Sequence, residues 1–288
     1  MIDEATVPPA SPPTTGRDRW RTWWLVAFAL VVLVAGGFVV GRRIEQGGAT
    51  PAAAPTVVAP ASSAPVPEST PTPSPSPAPA RTVDRSVLQL PGAVPVRGSG
   101  QFSYATSRGP VLGSKGELRR FRVAVEKGSN ENAEEFATQV ANTLGDPRSW
   151  IGGGQVRLQL VGGSEAADFT VYLATRDTTG KMCLRGGTNV SVGGRPYTSC
   201  RTTGKAIINL DRWRRSATPF VSGKVPLSTY RQYVINHEVG HELGHRHEGC
   251  PRAGGPAPVM VQQTLTLRGC KAYAWPRLDG KMLRGPRL

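Results

Sequence analysis

All four histidines of this 288-residue chain lie within eleven consecutive residues, His237-Glu-Val-Gly-His241-Glu-Leu-Gly-His245-Arg-His247. The order inside that window restricts the backbone sharply. On a helix, His237 and His241 are four residues apart, so both imidazoles leave the same face one turn from each other. Two ligands of one zinc ion require that placement. Glu238 follows the first of them and is rotated around the helix. Its carboxylate can therefore sit beside the metal without binding it, and serve a water there as general base.

His245 continues the four-residue spacing but does not suit the third ligand position. Eight residues separate it from His237, roughly 12 Å along a helix axis, whereas zinc–nitrogen bonds are about 2.0–2.1 Å. The third ligand must come from chain that has left the helix and turned back. Gly244 supplies the turn, because glycine enters the left-handed conformation that ends helices without a Cβ penalty. His247, three residues beyond, is then free to swing onto the metal. His245 is read as exposed or outside the ligand set, and Glu242 as a solvated residue facing away from Glu238.

The window reads H-E-x-x-H-x-x-G-x-x-H, with His237, Glu238, His241, Gly244 and His247 at its defined positions, and so resembles the metzincin zinc peptidases. Ala257-Pro-Val-Met260 lies downstream, where metzincins carry a methionine turn beneath the metal. The run from His237 to His245 is similar to the helix of the matrix-metalloprotease branch. More narrowly, the window with its following Glu-Gly-Cys-Pro and Pro-Ala-Pro-Val-Met resembles a family of actinobacterial envelope proteins of unknown function with a zincin-like motif. The metzincin likeness is strong over residues 226–262, and the narrower one spans about 98–276. The resemblance implies an α+β, zincin-like fold: a mixed twisted sheet over two long helices, with an irregular C-terminal subdomain carrying the methionine turn. It also implies one Zn2+ ion held by His237, His241 and His247, with Glu238 catalytic and Gly244 and Met260 structural. Some metzincins add a tyrosine near the methionine turn as an oxyanion donor. Val261 and Gln262 follow Met260 here, and that role is not carried over to Tyr273.

The pattern around the window fits such a fold. Ser228, after Pro226 and Leu227, reads as an N-cap, and Tyr230, Tyr233, Val234, His237 and His241 recur at helical steps. The ligand face is then also the buried face. Gly240 lowers helix propensity and is read as a place where another backbone comes close. Upstream, Phe121–Glu126, Gln155–Val161, Phe169–Ala174 and Ala206–Leu210 read as strands. Asn132–Leu144 carries Phe136, Val140 and Leu144 at helical spacing. The substrate cleft is expected between the sheet and the irregular C-terminal part.

Cys183, Cys200, Cys250 and Cys270 allow three pairings, of which the sequence-local one is Cys183–Cys200 with Cys250–Cys270. The second bridge would close a loop around Met260, worth about 3 kcal/mol in the entropic model. A rival reading makes Cys250 a zinc ligand, but three histidines already leave the open position a catalytic zinc needs.

Four segments follow from composition. Residues 1–22 read as a cytoplasmic N-terminus. Residues 23–41 are uncharged and apolar, about 28 Å long as a helix and enough to cross a bilayer, with Trp20, Trp23 and Trp24 at its interface. Arginines flank the span on both sides, and the cysteines favour an outside C-terminal domain. A single-pass anchor is preferred to a cleaved signal peptide, since the span is long and no A-x-A site follows it closely. Residues 42–80, rich in Pro, Ala, Ser and Thr, read as a disordered stalk, of which 51–80 would reach roughly 90 Å if fully extended. Residues 81–288 remain as the catalytic domain.

The formal charge of +15 belongs wholly to that domain, because residues 1–80 hold five Arg and five acids. Arg119-Arg120 and Asp211-Arg-Trp-Arg-Arg215 suggest affinity for an anionic wall polymer, lipid surface or acidic protein. Nucleic acid is not expected in that compartment. The leading expectation is a membrane-anchored, extracytoplasmic zinc endopeptidase acting on a protein or peptide. The alternative keeps the fold but makes the domain a catalytically silent binding module for wall polymer or a partner protein. A peptidase or amidase for peptidoglycan cross-links would share the chemistry.

Overall fold

The structure, a computed structural model, describes residues 87–288. The expected anchor at 23–41 and stalk at 42–80 lie outside those residues. Among the described residues, no helix is long and apolar enough to cross a membrane.

A mixed sheet organises this part of the chain. Its strands are β1 (Phe102–Tyr104), β2 (Val111–Leu112), β3 (Glu117–Glu126), β4 (Val156–Leu160), β5 (Phe169–Ala174), β8 (Cys200–Thr202) and β9 (Lys205–Asn209). A short hairpin, β6 (Ser191–Val192) and β7 (Arg195–Pro196), forms a separate two-stranded sheet. The order across the large sheet is β2-β4-β3-β5-β9-β8, with β1 paired to the end of β3. The four longest strands, β4, β3, β5 and β9, run parallel, while β1, β2 and β8 are antiparallel additions.

Period-two alternation decides which face is buried against what. Phe121, Val123 and Val125 of β3, Val171 and Leu173 of β5, and Ala206 and Ile208 of β9 join the main core. Ala124, Tyr172, Ala174 and Ile207 point the other way, into a smaller cluster with Cys183 and Cys200. The helices are α1 (Ala133–Leu144), α2 (Arg176–Arg185), α3 (Leu210–Arg215), α4 (Thr218–Ser222) and α5 (Leu227–Glu242). The two longest, α1 and α5, share the main core with the sheet. Helix α1 buries Phe136, Ala137, Val140 and Leu144 at three- and four-residue steps. Phe136 meets Trp213 of α3 edge-on at 4.9 Å, and Phe220 of α4 meets Tyr230 of α5 at 5.0 Å. After Leu243 the chain is largely irregular.

The four expected strands and both expected helices are present, Phe169–Ala174 to the residue and the others with one or both ends shifted. Several elements escaped the periodicity. Strands β1, β2 and β8 are two or three residues long, too short to alternate visibly. Helix α2 buries Thr179 and Cys183 and has no apolar stripe. It is fixed instead through Glu126, a buried carboxylate that accepts from the Gly100 N–H, the Thr175 N–H and hydroxyl, and the Thr178 hydroxyl.

Ser228 is not the cap of α5. The helix starts at Leu227 with Pro226 in the cap position and no side-chain cap bond. Its first N–H, on Leu227, donates to the Val87 carbonyl at 2.8 Å, so tertiary contact replaces the capping hydroxyl. Helix α1, by contrast, is capped locally. The Asn132 side chain accepts from Glu134 N and Glu135 N at 2.8 and 3.0 Å. Asn132→Ala should therefore cost about 1 kcal/mol. For a domain of this size that lowers the melting temperature by about 2–4 °C, measurable by thermal unfolding.

Candidate metal centre

Helix α5 is buried along nearly its whole length although it carries Asn236, His237, Glu238 and Glu242 in its last two turns. Each such polar group needs a partner inside the protein. The Asn236 amide is held from both ends: its Oδ1 accepts from Ser149 Oγ at 2.7 Å, and its Nδ2 donates to the Ala274 carbonyl at 3.0 Å. Trp150 Nε1 donates to the Asn236 carbonyl at 3.0 Å. Glu242, expected to be solvated and facing away, is in fact buried. It accepts from Arg201 Nε of β8 and from the Lys205 N–H of β9, both at 2.9 Å. Four residues after Glu238 it lies one turn along the same helix face, which here packs on the edge of the sheet.

The histidines are oriented by backbone carbonyls. His237 Nδ1 lies 2.8 Å from the Val259 carbonyl, and His241 Nδ1 lies 2.8 Å from the His245 carbonyl. A carbonyl can only accept, so both Nδ1 atoms carry the proton and both Nε2 atoms present a lone pair. Gly244 stands at φ +89°, the left-handed turn anticipated for it. The chain then reverses, with the His245 N–H donating to the Gly240 carbonyl at 2.9 Å. That reversal brings His247 Nε2 to 3.1 Å from His241 Nε2. The ligand-type atoms of His237, His241 and His247 all lie within 4.8 Å of one another.

The donor set fits a zinc-type cation. Burial is the main cause that holds all three rings below the usual histidine range, His247 at about 4 with smaller contributions from His241 and Arg268. Neutral imidazoles with free lone pairs are the form that binds metal. Two ring nitrogens 3.1 Å apart, one of them presenting a lone pair, are mutually unfavourable unless a proton or cation lies between them.

His245 stays out of the cluster, as anticipated, but is not idle. Its ring stacks on Trp150 at 4.2 Å while its carbonyl aligns His241. Met260 is buried in a turn closed by the Val261 N–H on the Pro258 carbonyl at 3.0 Å. Its own carbonyl accepts from the Glu248 N–H at 3.1 Å, joining the turn to the loop that carries His247. Tyr233 pins the same turn: its hydroxyl donates to the Val261 carbonyl at 3.0 Å and accepts from the Gln263 N–H at 2.8 Å. Gly240 does admit a close neighbour, but side chains rather than backbone. A Cβ there would meet Trp150 Cζ2 at 2.5 Å and Met260 Sδ at 2.7 Å. Tyr273 donates to the Arg277 carbonyl and is spent on the C-terminal subdomain.

The disulfides are Cys183–Cys200 and Cys250–Cys270, so Cys250 is no metal ligand. Each closes a loop on one side of a cleft of about 570 Å³. One wall is formed by residues 188–192 and 198–201, the other by Gln262, Thr264 and Leu265, with His237, Glu238, His241 and His247 between them. Glu238 is buried, and that burial alone raises its carboxyl to about 8.

Sequence reasoning missed Trp150, Asn236, Tyr233 and the Arg201–Glu242 pair as supports of the site. Asn236 carried a signal, being an amide directly before His237 on the face read as buried. The others depend on contacts between distant segments.

A family model described as "Protein of unknown function (DUF3152)" matches residues 89–280. No curated protein and no solved structure matches the chain.

Two predictions follow from this geometry. In the metal-free protein, unfolding between pH 6.5 and 8 releases the proton that burial keeps on Glu238, whose ordinary value is 4.5. Measured against Glu238→Gln, stability should therefore fall with rising pH through that window, by up to about 1.4 kcal/mol per unit, because the histidines, whose folded values are depressed, contribute equally to both profiles. The difference in stability between the two proteins, followed by denaturant unfolding against pH, checks this. Gly240→Ala should destabilise by about 1–3 kcal/mol through overpacking, although alanine is the better helix former. By pushing the Val259–Met260 turn off His237 it should also weaken zinc binding, read by competition with a chromogenic chelator.

Proposed function

The chain belongs to the DUF3152 family, and we propose that it is a membrane-anchored, extracytoplasmic zinc endopeptidase of metzincin type. The observation that carries this reading is the buried carboxyl of Glu238 beside three converging imidazoles that open on a cleft. His237, His241 and His247 would hold the ion. Bound there, zinc would polarise a scissile carbonyl and acidify the attacking water.

The chain's own groups supply the rest. Glu238 takes the proton of that water as its oxygen bonds to the acyl carbon, then passes it to the leaving amine as the C–N bond breaks. Burial raises the carboxyl's proton affinity in the metal-free site, and a cation held by the histidines would draw it back toward the ionised form a base needs. Edge strand β8 pairs with β9 alone and lines the cleft, so its outer edge is free to align an extended chain by backbone hydrogen bonds.

Two further features support the wider reading. A metal site needing only to hold its ion has no use for an unpaired buried carboxyl, which favours hydrolysis over a silent binding module. The two disulfides accord with a domain outside the cytoplasm, where the anchor read at 23–41 would place it.

Glu238→Gln should retain zinc at one ion per chain and abolish peptide hydrolysis. Metal analysis alongside a mass-spectrometric peptide-library digest checks both, and appreciable residual turnover by the variant would remove Glu238 as the base.

A further inference from the structure

The chain beyond α5 is strongly cationic. Residues 243–288 hold eight Lys and Arg against two acids, Glu248 and Asp279. Glu248 is already engaged, with Arg284 at 3.5 Å and with the Gly285 N–H at 2.9 Å. The opposite wall of the cleft, residues 188–192 and 198–201, contributes Arg201 and no acid. Of the two carboxyls that line the cleft, Glu242 is taken by Arg201 and the Lys205 N–H, and Glu238 is buried.

Two of these cations stand beside the third ligand. Arg246 lines the main cleft, and Arg246 and Arg268 together line an adjoining cavity of about 490 Å³ with His241, His247, Gln262 and Leu288. Both arginines are exposed. Among the described residues neither guanidinium forms a salt bridge or a hydrogen bond. By contrast, Arg214 pairs with Glu131, Arg119 with Asp168 and Arg97 with Asp177 elsewhere in the fold. Guanidinium groups left free at the mouth of a cleft without a competing acid are placed to take carboxylates.

We propose that the cleft selects acidic peptide segments, with Arg246 and Arg268 recognising Asp or Glu side chains on the His247 side of the metal centre. The proposal rests on the peptidase reading for the fate of the bound segment, but not for its binding. A peptide is favoured over another polyanion because the same cleft carries the free backbone edge of β8, which a polymer without amides would not engage.

The test uses the full chain, zinc-loaded, with Glu238→Gln to keep ligands intact. Fluorescent peptides identical except for Asp and Glu against Asn and Gln are compared by anisotropy. The acidic peptide should bind roughly tenfold more tightly, the scale of two partly screened ion pairs. Combined Arg246→Glu and Arg268→Glu should erase or invert that ratio, and the milder Arg246→Gln with Arg268→Gln should reduce it. Zinc content is checked in each. Lys115→Glu, which follows β2 at the opposite edge of the sheet, should leave the ratio unchanged. The preference should also shrink as ionic strength rises from about 0.05 M to about 0.5 M.

Equal affinity for the two peptides overturns the proposal, as does a ratio that survives both double substitutions or a polyphosphate binding where the acidic peptide does not. Hydrolysis by the parent protein is scored separately. Cleavage without acidic preference removes this proposal and leaves the peptidase reading standing. Acidic preference without cleavage of any peptide does the reverse.

Discussion

The site is governed by the requirement that a nearly fully buried helix satisfy the polar groups it carries. A buried donor or acceptor without a partner costs about 1–3 kcal/mol. Helix α5 brings in Asn236, His237, Glu238 and Glu242. Ser149, Trp150 and Ala274 converge on Asn236, the Val259 carbonyl receives His237, and Arg201 with the Lys205 backbone receives Glu242. Segments far apart in the chain are thus drawn to one helix by the same need. Glu238 is the exception: it lines the cleft with the three histidines and has no hydrogen-bond partner among the described residues.

The histidine cluster was legible because its spacing is local. His237 and His241 follow from helix geometry, and Gly244 with φ +89° performs the turn that frees His247. The parallel strands were legible for a related reason: Phe121, Val123, Val125, Val171 and Leu173 are apolar residues in runs long enough to read. What failed to show was whatever depends on a distant partner. Ser228 looked like a cap because it is a good one, but Val87 had already satisfied the Leu227 N–H. Glu242 looked solvated because charge suggests water, and nothing local reveals that Arg201 lies 2.9 Å away. Backbone carbonyls such as those of Val259 and His245 leave no trace in residue identity at all.

Charge shows the same division. Arg119-Arg120 and the run from Asp211 to Arg215 are conspicuous along the chain. In three dimensions Arg119 meets Asp168, Arg214 meets Glu131, Arg176 meets Asp211, and Arg212 lies over the Tyr197 ring at 4.2 Å. Dense linear clusters are partly consumed by the fold. Arg246 and Arg268, each standing alone in sequence, are the ones left beside the cleft.

The placement of the disulfides bears on how the cleft can move. Cys183–Cys200 is confined to one wall and Cys250–Cys270 to the other, with sequence separations of 17 and 20. No disulfide spans the gap between them. Each wall is internally stiff, while the width of the opening is set by hydrogen bonds and side-chain packing. Both walls are tied to α5, the first through Glu242 to Arg201 and the Lys205 N–H, the second through Tyr233 to Val261 and His237 to Val259. Widening the opening therefore works against the same hydrogen bonds that orient the histidines, so the mouth of the cleft and the shape of the triad are set together.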